Sequence, residues 1–312
     1  MPGFLKSIAW PVLCLSLVTL LLLLPQPVSG RIAGAIMDLC HGPLFAVLAA
    51  VMCWSTRDSS RLPPKWRGLL IWFLLSAFGL FAEALQGWVS RHPSWQDAVA
   101  NMLGAAAGVL WMQSKLPSPQ KAITRFLAAL LLLGSAAYPL VILADALQQH
   151  RQLPLLASFE TPWELTRWSV RDCELKRVRA HATDGAWAIR IDLQTAVYPG
   201  VEYAEVPRDW TPYRELALDV TLDHPQSLSL IIKIYDEAHN QEATDRFHHV
   251  AELKKGMNVI RIALKDVENA PYKRRMDLSR IRVLQLFCVR PPAPARVYVD
   301  NIRLVPKPSS RL

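Results

Sequence analysis

Val297-Tyr298-Val299-Asp300-Asn301-Ile302-Arg303-Leu304 carries apolar residues at alternate positions, with a break at Asp300-Asn301. A period of two marks a strand with one face buried. The same alternation recurs in Leu216, Leu218 and Val220, in Leu228, Leu230, Ile232 and Ile234, and in Ile260, Ile262 and Leu264. Asp184-Gly185, Pro199-Gly200 and Lys255-Gly256 punctuate these runs as turns. About ten short strands within roughly 150 residues predict an all-β, two-sheet jelly-roll sandwich over residues 151–312.

Upstream of residue 150 the pattern changes. Residues 1–150 are rich in Leu, Ala and Trp and hold 10 Lys/Arg against 5 Asp/Glu; the rest of the chain holds 25 and 21. A bilayer core takes helices of about 20 apolar residues. Five segments approach that length: Ile8–Leu24, Leu39–Trp54, Leu69–Gln86, Ala98–Met112 and Ile123–Ala144. The expected fold class is therefore an α-helical membrane bundle of about five transmembrane helices, followed by the sandwich. Arg57, Arg61, Lys65 and Arg67 crowd one loop, and Lys115, Lys121 and Arg125 follow the fourth segment. The positive-inside rule places those loops and the N-terminus in the cytoplasm, with the C-terminal domain periplasmic or otherwise outside. Lys6, the first apolar run and Val28-Ser29-Gly30 also fit a signal peptide, and cleavage would leave the later topology unchanged. The charge pattern excludes nucleic acid as a partner: no basic stripe with interleaved aromatics is present.

Polar residues cluster near one end of these segments. Asp38 and His41 are three apart, as are Glu83 and Gln86, so each pair shares a helix face. Arg91 follows. Asp97, Asn101, Gly104 and Gly108 form one stripe, and Gly104-x-x-x-Gly108 permits close helix approach. Ionisable groups next to hydrocarbon are costly and tend to serve a function. The cluster reads either as residues that satisfy one another and fix packing, or as an outward-facing cup for a polar head group, proton chemistry or a divalent metal. No nucleophile with a fixed base is visible, so an enzyme is the less favoured reading. In that reading Glu83, His41 and Asp97 would serve as an acid–base set on a lipid-linked envelope precursor. This ordered series, over residues 10–113, resembles the VanZ-like family of small bacterial membrane proteins. The resemblance implies a cell-envelope protein of the bacterial inner membrane and an association with teicoplanin susceptibility.

The C-terminal half carries a second resemblance. Ser158-Phe159-Glu160, Trp168, Asp209-Trp210 with Tyr213, Leu253-Lys254-Lys255-Gly256-Met257-Asn258 and the closing strand are similar to carbohydrate-binding-module jelly rolls of the galactose-binding-like superfamily. The resemblance implies glycan binding and often a structural calcium ion, for which Glu160 and Asp300 are the candidate ligands. The expected partner is a polysaccharide, peptidoglycan or a lipid-linked glycan, and the expected role is binding or accessory. A structural module that binds an envelope protein is a third class. Sugar platforms are exposed aromatics: Tyr198 and Tyr203, on either side of Pro199-Gly200, are the first candidates, with Trp187 and Trp163. Trp168 and Trp210 read as core. His239, His248 and His249 read as solvated loop histidines, Lys273-Arg274-Arg275 as a solvated loop. Cys14 and Cys53 read as packing residues, and a Cys173–Cys288 disulfide is an expectation for an outer domain.

Overall fold

The computed structural model describes residues 30–57, 62–88, 94–112, 117–204 and 206–308. The first apolar segment, the signal-peptide alternative, Cys14 and Arg91 lie outside them. Two compact units are present, Met1–Ala144 and Asp145–Leu312.

The first unit is helical: α1 (Arg31–Asp38), α2 (His41–Ser55), α3 (Pro64–Trp88), α4 (Trp95–Trp111) and the start of α5 (Ser118–Arg151). Three stretches are long and apolar enough to cross a membrane: Arg31–Ser55, Pro64–Leu85 and Pro119–Arg151. The expected fourth span is the helix α4, whose 17 residues stand at the lower limit for a crossing, and it packs closely against its neighbour. Its small residues Ala100, Gly104, Ala105 and Gly108 are buried. A Cβ on Gly104 would lie 2.1 Å from the carbonyl oxygen of Gly42, and one on Gly108 2.1 Å from that of Ala46. Ser94 caps the helix, its Oγ accepting the Asp97 amide at 3.3 Å. Phe45, Leu48, Leu75 and Ala105 form the bundle core together with Cys53, which packs as expected.

The second unit holds eleven strands among the described residues: β1 (Leu155–Ala157), β2 (Trp168–Arg171), β3 (Cys173–Val178), β4 (Ala188–Leu193), β5 (Gly200–Ala204), β6 (Tyr213–Leu222), β7 (Leu228–Asp236), β8 (Phe247–Leu253), β9 (Gly256–Ala263), β10 (Ile281–Phe287) and β11 (Ala295–Pro306). One sheet runs β3-β4-β11-β6-β9 with β1 added beside β11; the other runs β2-β5-β10-β7-β8. All these pairings are antiparallel. Trp168 and Trp210 are core, as read from the sequence. The break at Asp300-Asn301 is a register shift in β11, where Asn301 takes a φ of 52°. Asp300 still pairs with Asp219, and the extra residue of the bulge falls between it and Arg303, which pairs with Ala217.

Four expectations need correction. Gly200 is not the corner of a turn: it opens β5, so Tyr203 falls in phase with Val201 and points into the core. Cys173 and Cys288 are free thiols. Cys173 Sγ donates to the Gly200 carbonyl at 3.1 Å, and Cys288 is buried at the end of β10, its pKa pushed up to about 12 by that burial. His248 and His249 lie in β8 rather than a loop, and the His239 ring is buried with Nδ1 2.9 Å from the Asp245 carbonyl.

Arg274 is the fourth. Rather than lying free in a solvated loop, its guanidinium bridges two carboxylates, reaching Asp236 at 2.6 and 2.7 Å and Asp245 at 2.6 and 3.0 Å. The hydrogen bond from Arg274 holds the Asp245 carboxyl down at about 2, against an ordinary 3.8. A depressed carboxyl contributes stability that is complete above its unfolded value and is lost as pH falls through its folded one. Melting temperature should therefore drop between pH 4 and pH 2, and Asp245→Asn should flatten that drop. An identical acid profile in the variant removes Asp245 as a cause.

Candidate functional site

Strand register places one polar row across the whole five-stranded sheet. Ser169 opposes Glu202, Glu202 opposes Gln285, Gln285 opposes Lys233, and Lys233 opposes His248. Directly opposed residues share a face. Their strand neighbours Val201, Tyr203, Leu284, Leu286, Ile232 and Ile234 are core, so the row lies on the side away from the core. A second row on the same side runs Arg171, Gly200, Phe287, Ile231 and Val250. Tyr235, opposite Val283, flanks the polar row on the other side.

The electrostatics of this face are unusual for a sheet surface. Partial burial, then the charge of Arg246, lowers the pKa of the Lys233 ammonium, against the pull of Glu202. Partial burial against the sheet, with Arg246, Lys233 and His239 nearby, pulls His248 down to about 4, so its ring is neutral at physiological pH. Burial also raises the Tyr235 phenol. The Lys233 Nζ sits 5.1 Å from the Tyr235 ring centroid. Arg246 Nε is buried without a partner. Perturbed groups that converge on one open surface are a recognised mark of a binding site. The sequence reading passed over Lys233, Glu202 and Gln285, although strict alternation in β7 already set Lys233 apart from the core positions Ile232 and Ile234.

The expected aromatic platforms separate. Tyr203 is fully buried (0 % exposed); its hydroxyl donates to the Leu156 carbonyl at 3.1 Å and accepts from Gln149 at 2.7 Å. It cannot stack on a sugar. Trp187 is half-buried and already carries the Arg177 guanidinium 3.6 Å from its ring centroid, with Arg179 at 5.0 Å. Trp163 is exposed on the turn Pro162–Arg167. Tyr198 is 49 % exposed and meets Phe287 edge-on at 6.1 Å, which puts it beside the second row of the sheet face.

Glu160 and Asp300 hold one loop from two directions. Glu160 Oε1 accepts the amides of Ala186 and Trp187 at 2.8 and 2.9 Å. Asp300 Oδ2 accepts those of Thr183 and Asp184 at 2.6 and 2.9 Å, and burial raises its pKa. Asp219 joins through the Thr183 hydroxyl at 2.8 Å and the Asn301 amide at 3.0 Å. Glu160 Oε1 and both oxygens of Asp300, the carboxylates expected as calcium ligands, each accept backbone N–H groups.

In the helical unit, donor atoms of Asp38, His41 and Asp97 lie within 4.8 Å of one another. His41 Nδ1 is 3.1 Å from Asn101 Oδ1. Glu83 Oε2 accepts the Ser94 amide at 3.1 Å. Gln86 is described only as part of α3.

No protein-family model matches this chain, and no curated protein does. Solved structures do resemble it. A family 11 carbohydrate-binding module from Clostridium thermocellum, in complex with a β-1,3-1,4-mixed-linked tetrasaccharide, is 15 % identical with a TM-score of 0.40, over 49 % of this chain and 94 % of that one. A family 30 module of a cellulosomal cellulase from the same organism is 14 % identical with a TM-score of 0.36, over 45 % and 92 %. An exo-β-agarase is 16 % identical with a TM-score of 0.40, over 49 % of this chain and 25 % of that one. The likeness is one of fold.

Proposed function

We propose that this is a membrane-tethered glycan-binding protein whose sandwich holds an anionic polysaccharide across the outer face of its five-stranded sheet. The observation that carries the proposal is the polar row Ser169, Glu202, Gln285, Lys233 and His248. It offers donors and acceptors at strand spacing, with Arg246 Nε left unpartnered beside it. Hydroxyls of a sugar chain suit Glu202, Gln285 and neutral His248. A carboxylate or sulfate on the chain suits Lys233, Arg246 and Arg171. Tyr198 and Tyr235 supply rings at opposite borders. The helical half supplies the tether through its three candidate spans. The finer reading places the sandwich on the outer side of a bacterial inner membrane, from the loop charges, with a VanZ-like helical half.

The test uses the full chain in detergent micelles, applied to immobilised polygalacturonate and to a neutral β-glucan. The anionic polymer should retain the protein. Lys233→Ala should weaken retention about tenfold or more, the loss expected for one charge-assisted hydrogen bond, and Tyr198→Ala should weaken it too. No retention of the wild type on either polymer, or retention indifferent to both changes, sinks the proposal. The proposal extends to calcium at Glu160 and Asp300: melting in calcium should exceed melting in chelator, and equal melting removes the ion.

A further inference from the structure

The glycan reading leaves the polar end of the helical unit unexplained. Among the described residues, one group alone brings three metal-ligating side chains together: Asp38, His41 and Asp97, with donor atoms within 4.8 Å of one another. Donors bonded at about 2.0–2.2 Å in a tetrahedral site stand about 3.3–3.6 Å apart, so the three side chains would close by about 1 Å around an ion. Two carboxylates and one imidazole make a mixed oxygen and nitrogen donor set of the kind that divalent cations take.

Two further observations point to a ligand. The first is the setting of His41. Asn101 is fully buried, and its Oδ1 lies 3.1 Å from His41 Nδ1. With Nδ1–H donating to that carbonyl, the free lone pair falls on Nε2. Metal-bound histidines are held in this way, the remote nitrogen donating to a fixed acceptor while the other ligates. The second is a pair of orphan atoms. Asn101 Nδ2 and Glu83 Oε1 are buried and have no partner, in residues 0 % and 6 % exposed. Asn101 Nδ2 faces α3 at Gly79, 3.3 Å from where a Cβ would stand, and Glu83 lies one helical turn further along that helix. The charges of Asp97, His41 and Asp38 act on the Glu83 carboxylate, so the orphans border the same cluster. Buried polar atoms are seldom left unpaired, and a polar species at this end of the bundle would satisfy them.

We propose that Asp38, His41 and Asp97 bind a divalent first-row cation, with Asn101 as the positioning residue for His41. The mixed donor set suits Zn2+ or Mn2+ better than Ca2+, which prefers oxygen alone. Glu83 and the Asn101 amide would meet the water that completes the coordination. Nothing in this proposal depends on the sandwich, so it stands or falls apart from glycan binding.

The full chain in detergent micelles, stripped with chelator, is titrated with Mn2+ and followed by electron paramagnetic resonance, with Zn2+ as competitor. One saturable site per chain is expected, with nitrogen hyperfine coupling that disappears in His41→Ala. Asp97→Asn should weaken binding by at least tenfold. Asn101→Ala should weaken it by about 10–100-fold, the usual cost of losing such an outer partner, and Asn101→Asp, which keeps an acceptor for Nδ1–H, should restore it. Circular dichroism of each variant checks that the helices persist. The proposal is overturned by wild-type protein that shows no saturable site, or by Asp97→Asn and His41→Ala proteins that bind as the wild type does.

Discussion

Replacing Arg167 with alanine should lower the stability of the sandwich unit by about 3–5 kcal/mol, the cost of leaving a buried partner charge uncompensated. Arg167 follows Pro162-Trp163-Glu164-Leu165-Thr166 in a short 3-10 turn and is almost wholly buried. Its guanidinium forms a fork on Asp145, Nε to Oδ2 at 3.0 Å and Nη2 to Oδ1 at 2.8 Å. Glu164 lies 3.7 Å from Nη1 and is itself fully buried, accepting the amides of Ser158 and Phe159 at 3.2 and 3.0 Å. One guanidinium therefore serves two buried carboxylates. Its loss strands both. For a unit of this size the melting temperature should fall by about 6–20 °C. Removing both sides of the fork, in Arg167→Met with Asp145→Leu, should cost less than either single change, because Asp145 is no longer stranded and Glu164 keeps its amide donors. The single and double variants together form a thermodynamic cycle in which the two single losses far exceed the double. If Arg167→Ala melts within a degree or two of the wild type, the fork contributes nothing.

The sandwich was legible because its strands obey a period of two, and even the bulge in β11 showed as a break at Asp300-Asn301. What alternation cannot give is which of two faces meets the other sheet. Tyr203 and Tyr198 look alike in sequence, on either side of Pro199-Gly200. They part because Gly200 joins β5 and locks Tyr203 into the phase of Val201, while Tyr198 stays outside the strand. Arg274 looked solvated because the two acids it bridges lie 38 and 29 residues upstream. The polar row is spread over five strands drawn from residues 169 to 285, so no local motif announces it. The helical cluster was more visible. Helical spacing put Asp97, Asn101, Gly104 and Gly108 on one stripe, but it could not say that Asn101 would meet His41, a contact across 60 residues.

That contact depends on how closely α2 and α4 approach, and Gly104→Leu should abolish it. A Cβ at position 104 would stand 2.1 Å from the Gly42 carbonyl oxygen and 2.8 Å from the Gly42 carbonyl carbon and Cα. These are backbone atoms of a helix, so no rotamer change relieves the overlap; one helix must move away from the other. Overpacking of this kind costs about 1–3 kcal/mol even where side chains can yield, and here about 3 kcal/mol or more is expected. The movement would also part His41 from Asn101, which lie one residue and three residues from the clash. Gly134→Ala is the control. Its Cβ meets only Leu103 Cδ1, at 3.7 Å, and replacing a helical glycine there should leave the melting temperature unchanged or raise it, since alanine favours helix by up to about 1 kcal/mol. Thermal unfolding of both variants in detergent, followed by circular dichroism, decides the matter: a Gly104→Leu protein as stable as the wild type would show that α2 and α4 are not held in backbone contact.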